Sequence, residues 1–179
     1  MQKMRNSLNH HKTRSMSFRI PEDVGEALET DAQINNTSPS TLLTQILNHH
    51  TGYDGNAGRA GLIAFPKSLL VKLMDGYSEE KVIAIAYHMS QDVMTDMMAI
   101  LQNDYSIESF LQTIESWARV SHIPFTRETK GNLNTFVIQH NMGKNWSLYL
   151  SHLYKNVIEE LAQRKASVVT TNNSVRIRF

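Results

Sequence analysis

The sequence predicts an α+β protein in two parts: a small N-terminal strand–helix–helix module and a larger C-terminal domain carrying an antiparallel sheet. Three observations support this reading. Half of the eight glycines, Gly52, Gly55, Gly58 and Gly61, fall within ten residues and divide the chain. Before them, a short alternating segment leads into proline and two amphipathic stripes with helix-start signals. After Pro124, strand-like segments and one helix follow a helical stretch in the order ββαββ.

Taken in order, residues 1–12 form a basic arm with Lys3, Arg5 and Lys12, expected to be flexible. The net charge of +1 conceals this arm. Residues 1–21 hold five basic and no acidic side chains, and residues 22–31 hold five acidic and no basic ones. Residues 15–20, Ser-Met-Ser-Phe-Arg-Ile, alternate with period two, so Met16, Phe18 and Ile20 share one strand face and Ser15, Ser17 and Arg19 the other. Pro21 ends the strand and suits a helix entry, where Glu22 and Asp23 complement the dipole. Val24, Ala27, Leu28 and Ile34 give that helix an apolar stripe. Asn35-Asn36-Thr37 marks a turn, and Ser38-Pro39 places an N-cap before a proline at N1. Leu42, Leu43, Ile46 and Leu47 carry the second stripe toward the glycine-rich joint at residues 51–61.

Ser17-Phe18-Arg19-Ile20-Pro21-Glu22, followed by the Ser38-Pro39 helix start, resembles the ribbon-helix-helix family of DNA-binding proteins over residues 13–50. The resemblance implies an intertwined homodimer whose antiparallel ribbon has Met16, Phe18 and Ile20 in the dimer core. It implies that Ser15, Ser17 and Arg19 contact bases in the major groove of double-stranded DNA. The phosphate contacts would fall on Ser38 and Ser40 at the second helix start, and the basic arm with Lys12 and Arg14 would follow the phosphate backbone or enter a minor groove. About 50 residues bury too little surface to fold alone, which agrees with a module that needs a second copy.

From residue 62 to 179 the chain is expected to supply its own core. Pro66 opens a short helix ending near Gly76, and Ser78-Glu79-Glu80 opens a longer one to about Leu101. That helix is apolar on two sides, with Val82, Ala86, Met89 and Val93 on one stripe and Ile83, Tyr87, Met94 and Met98 on the other. Ser106 caps a further helix whose apolar face holds Ile107, Phe110, Leu111, Ile114, Trp117 and Ala118. A hairpin around Lys130-Gly131-Asn132, a helix with Trp146, Leu150, Leu153, Val157 and Leu161 inward, and two closing strands complete the ββαββ order.

With no cysteine, disulfides and thiolate chemistry are excluded. No apolar run is long enough to span a membrane, and no apolar segment follows the basic N-terminus as a secretory signal would require. A cytoplasmic location is therefore expected. His88, Asp92 and Asp96, at i, i+4 and i+8, share a helix face and are the candidate metal ligands, with a solvated polar stripe as the plainer reading. Asn141-Met142-Gly143-Lys144 at a helix start suits an anion, and an ordinary helix entry accounts for it equally well. No nucleophile–base arrangement, phosphate loop or close carboxylate pair is evident, so no enzyme activity and no cofactor are expected. The sequence therefore reads as a homodimeric or higher-order transcriptional regulator. Its C-terminal domain would oligomerise or sense a ligand, and a small-molecule or metal effector is compatible with it. The alternative is an antitoxin or other partner-binding protein with autoregulatory DNA binding.

Overall fold

The computed structural model describes residues 13–102 and 104–179. The arm at 1–12, Lys12 included, lies outside them. The chain divides into two compact units, Met1–Leu47 and Asn48–Phe179.

In the first unit, Pro21 occupies the N-cap position of α1 (Glu22–Ile34), and Glu22 and Asp23 fill the acidic first turn. Asn36, at a φ of 50°, turns the chain, and the Thr37 N–H closes on the Ala32 carbonyl at 2.9 Å. α2 (Pro39–His49) begins as its Ser-Pro signature predicts: Ser38 Oγ accepts the Thr41 N–H at 3.1 Å. Replacing Ser38 with Ala is accordingly expected to lower stability by about 1 kcal/mol. A denaturant titration of the full chain followed by far-ultraviolet circular dichroism would read that loss.

Residues 13–20 form no strand in the single chain. The expected strand at 15–20 has no ladder to join, because its backbone donors and acceptors find no neighbouring strand. Ala32 is the one buried apolar side chain among the described residues of this unit, while Met16, Phe18 and Ile20 are 73%, 53% and 45% exposed.

The second unit starts with a departure from the predicted joint. Helical structure does not stop at the glycines. A π-helical turn, His50–Asp54, and the short α3 (Gly55–Ala57) follow α2 directly. α4 (Lys67–Asp75) ends at Gly76. Ser78 caps α5 (Glu79–His88) by accepting the Lys81 N–H, and a second π-helical segment, Met89–Val93, joins it to α6 (Met94–Gln102).

Five of the buried positions along this stretch, Val82, Ala86, Ser90, Met94 and Met98, fall at strict intervals of four, and Leu101 is buried beyond them. On a regular α-helix each such step drifts by about 40°, so four steps would carry the stripe roughly 160° around the axis. The wider π turn takes back part of that drift. Tyr87 and Val93, expected inward, are exposed as a result.

Ser106 Oγ accepts the Ser109 N–H at 3.2 Å to start α7 (Ile107–Val120), which buries Phe110, Leu111, Ile114 and Ala118. β1 (Phe125–Lys130) and β2 (Leu133–Gln139) form a hairpin closed by the Lys130–Leu133 pair, with Gly131 at a φ of 60° in the turn. α8 (Lys144–Ala162) leads to β3 (Ser167–Thr170) and β4 (Ser174–Arg178). All pairs are antiparallel, in the order β1-β2-β4-β3.

This mixed helix-and-sheet architecture is α+β. α8 packs on α5, β3 and β4, so one sheet face and the α5–α7 helices close a common core around Phe110, Met98, Phe136, Leu150 and Ile177. Arg127 fastens β1 to α7, donating to both carboxylate oxygens of Glu108 at 2.6 and 3.1 Å and to Glu115 at 3.4 Å. Among the described residues no helix is long and apolar enough to cross a membrane.

Candidate nucleic-acid interface

The residues expected to meet DNA all lie on accessible surface where they are described. Arg14, Ser15, Ser17 and Arg19 are exposed, and neither arginine has an ion pair or hydrogen bond among the described residues. An arginine without an internal partner keeps its donors available for phosphate or for a guanine edge. Ser38 and Ser40 are exposed at the start of α2. The Ser38 hydroxyl is already committed, meeting Thr41 Oγ1 at 2.8 Å as well as capping the Thr41 N–H. Ser40 contributes its carbonyl to the Thr44 hydroxyl at 2.8 Å and keeps its own side chain toward solvent.

The other sequence candidates are not assembled into sites. Among the described residues no three His, Asp or Glu side chains lie close enough to hold a metal ion, His88, Asp92 and Asp96 included. The π-helical segment falls between His88 and Asp96 and changes the angular relation that a regular helix would give them. The amides at Asn141–Gly143 are likewise spoken for. Asn141 N–H donates to the Asn173 carbonyl at 3.2 Å, Met142 N–H to His140 Nδ1 at 3.1 Å, and Gly143 N–H to Asn173 Oδ1 at 3.2 Å. The segment is an ordinary helix entry locked to the β3–β4 turn.

His140 is fully buried at the end of β2. Because its Nδ1 accepts a backbone N–H, its proton sits on Nε2 and points at Ser147 Oγ, 2.8 Å away. Burial first, and then the positive charge of Lys67, press its pKa down to about 4.

One feature escaped the sequence altogether. A cavity of about 630 Å³ opens in the second unit, lined by Tyr53, Leu70, Trp117, Ile123 and Met142, with Lys67 on its wall. Its residues come from four separated stretches of chain, so no local motif announces it.

Comparison with protein-family models, with curated proteins and with solved structures finds no match to this chain.

Proposed function

We propose that the chain is a homodimeric or higher-order, sequence-specific DNA-binding regulator of the ribbon-helix-helix kind. Two copies pair residues 15–20 as an antiparallel ribbon, bury Met16, Phe18 and Ile20 between them, and present Ser15, Ser17 and Arg19 to the major groove. One observation carries this reading. Among the described residues, the first unit has two well-formed helices yet buries only Ala32, leaving the alternating apolar row in water. Pairing two copies removes three large apolar side chains per chain from solvent, each worth about 1.5–3 kcal/mol. It also gives residues 15–20 the ladder they lack.

The second unit has a continuous core of its own. That favours oligomerisation or ligand sensing over an antitoxin tail that folds only on its partner.

The test begins with selection of bound DNA from a random pool by the full-length protein. Arg19→Ala should keep the dimer mass but lose discrimination at the guanine it reads, by roughly 1–3 kcal/mol per half-site. Mobility shifts on the selected and scrambled duplexes would show this. Failure to enrich any sequence, or an Arg19→Ala variant with unchanged selectivity, would refute the assignment.

A further inference from the structure

We infer that the outer face of the β-sheet is a second contact surface for duplex DNA, one that holds the phosphate backbone without reading sequence. The inner face is closed: Phe136, Ile138, Val175 and Ile177 enter the core shared with α8. Side chains alternate along each strand, so their neighbours stand on the opposite face. There β4 carries Arg176 and Arg178, both exposed. Arg178 is in register with Thr135 of β2 and Ser167 of β3, and Arg176 with Val137 and Val169.

The charges on this face do not cancel. On the inner side Arg127 is matched by the carboxylates of Glu108 and Glu115. Arg176 and Arg178, by contrast, have no ion pair or hydrogen bond among the described residues. Glu128, the one carboxylate on the strands of this face, lies two strands from Arg178 and is 3.5 Å from Lys130 Nζ. Arg164 adds a cation at the Arg178 end, where it donates to the Asn132 carbonyl at 3.0 Å and lies over the Phe179 ring. Lys165 and Glu159, before β3, offset each other at 3.7 Å. The uncompensated charge is therefore positive and centred on β4.

The geometry suits phosphate. Residues two apart on a strand are separated by about 6.8 Å, close to the step between neighbouring phosphates of one nucleic-acid strand. Each guanidinium offers a rigid fork of donors to such an anion. The Thr135 and Ser167 hydroxyls beside Arg178 have no hydrogen bond among the described residues and add further donors. Single strands are held by aromatic rings on which their bases stack, and the outward positions of these four strands carry none. The choice of DNA among polyanions rests on the reading of the first unit; the charge of the face does not.

The test compares the full-length protein with Arg176→Gln/Arg178→Gln on the selected and scrambled duplexes, between about 50 and 200 mM salt. The double variant should bind both duplexes at least about tenfold more weakly at the low end of that range. Its plot of log affinity against log salt should be shallower by about two per chain, because each lost phosphate contact removes about 0.9. Its preference for the selected duplex should not change. Arg176→Lys/Arg178→Lys, which keeps the charge, should keep the steep slope.

A glutamine variant with the unsubstituted slope would overturn the surface. Equal competition by single-stranded DNA or by polyglutamate would overturn its assignment to a duplex. If no sequence is enriched and the glutamine variant still loses affinity for the scrambled duplex, the sheet surface stands and the ribbon reading falls. Enrichment that depends on Arg19, with an unchanged slope in the glutamine variant, would do the reverse.

Discussion

On the proposed ribbon pairing, Phe18→Glu is expected to leave monomers and to abolish binding to the selected duplex at concentrations where the unsubstituted chain binds it. Phe18 is the central residue of the apolar row Met16–Phe18–Ile20 and is 53% exposed in the single chain. In a ribbon dimer both copies of Phe18 enter one small core, so each substitution acts twice. Truncating a buried phenylalanine costs about 3–5 kcal/mol, and placing a carboxylate there adds the cost of burying or neutralising a charge. Even the lower figure weakens dimerisation by more than about a hundredfold. The second unit has its own core and should remain folded, with the near-ultraviolet signals of Trp117 and Trp146 unchanged. Val169→Glu, an exposed apolar position on β3, is the matched control and should leave the mass as it is. Sedimentation analysis decides the matter. A Phe18→Glu protein with the wild-type mass would show that the apolar row is not the dimer core.

What the sequence reveals here, and what it hides, follows from the range of the interactions involved. Caps and turns are local, so Ser38, Ser78 and Ser106 can be read directly: the accepting hydroxyl and the donated N–H lie three residues apart. The same holds for Gly131 in its two-residue hairpin turn and for the inward face of α7. The glycine-rich joint misleads because propensity is a weak force. A glycine costs a helix only about 1 kcal/mol relative to alanine. That is less than burying a tyrosine contributes, and Tyr53 is buried in the midst of those glycines. The π-helical segment Met89–Val93 misleads for another reason: a count of 3.6 residues per turn assigns Tyr87 and Val93 to apolar stripes, while the core takes Ser90. That serine is accommodated because its hydroxyl donates to the Tyr87 carbonyl at 2.7 Å and receives the Asn156 amide at 3.4 Å. The exposed alternating row of residues 15–20 is legible as a pattern, since alternation needs no tertiary knowledge. The cavity is not, because Tyr53, Lys67, Trp117 and Met142 meet only through the fold.

Between about pH 6.5 and pH 4 the second unit should lose about 3 kcal/mol of stability through His140 alone. In the unfolded chain an imidazole titrates near 6.5. In the folded protein the His140 ring is enclosed, accepts the Met142 N–H on Nδ1 and lies beside the charge of Lys67, so it stays neutral until about pH 4. Below pH 6.5 the unfolded state therefore binds a proton that the folded state refuses, and stability falls as pH drops. The contribution is fully present above the unfolded value and is lost through the folded one. Midway through the window the slope approaches one proton, or about 1.4 kcal/mol per pH unit. The carboxyls of Glu108, held down by Arg127, and of Glu159, held down by the Ala166 N–H, add acid sensitivity of the same sign. Their effect begins below the ordinary carboxylate range near 4.5, so the upper part of the window belongs to histidine. His140→Gln separates the two. Its amide can still accept from Met142 and donate toward Ser147, but it cannot take a proton. The variant should start less stable at pH 8 by about 1–3 kcal/mol and then stay nearly flat down to pH 5, where the wild type has already descended. Urea titrations at half-unit intervals of pH would resolve the two curves. Parallel curves over pH 7 to 5 would show that His140 is not the group that titrates.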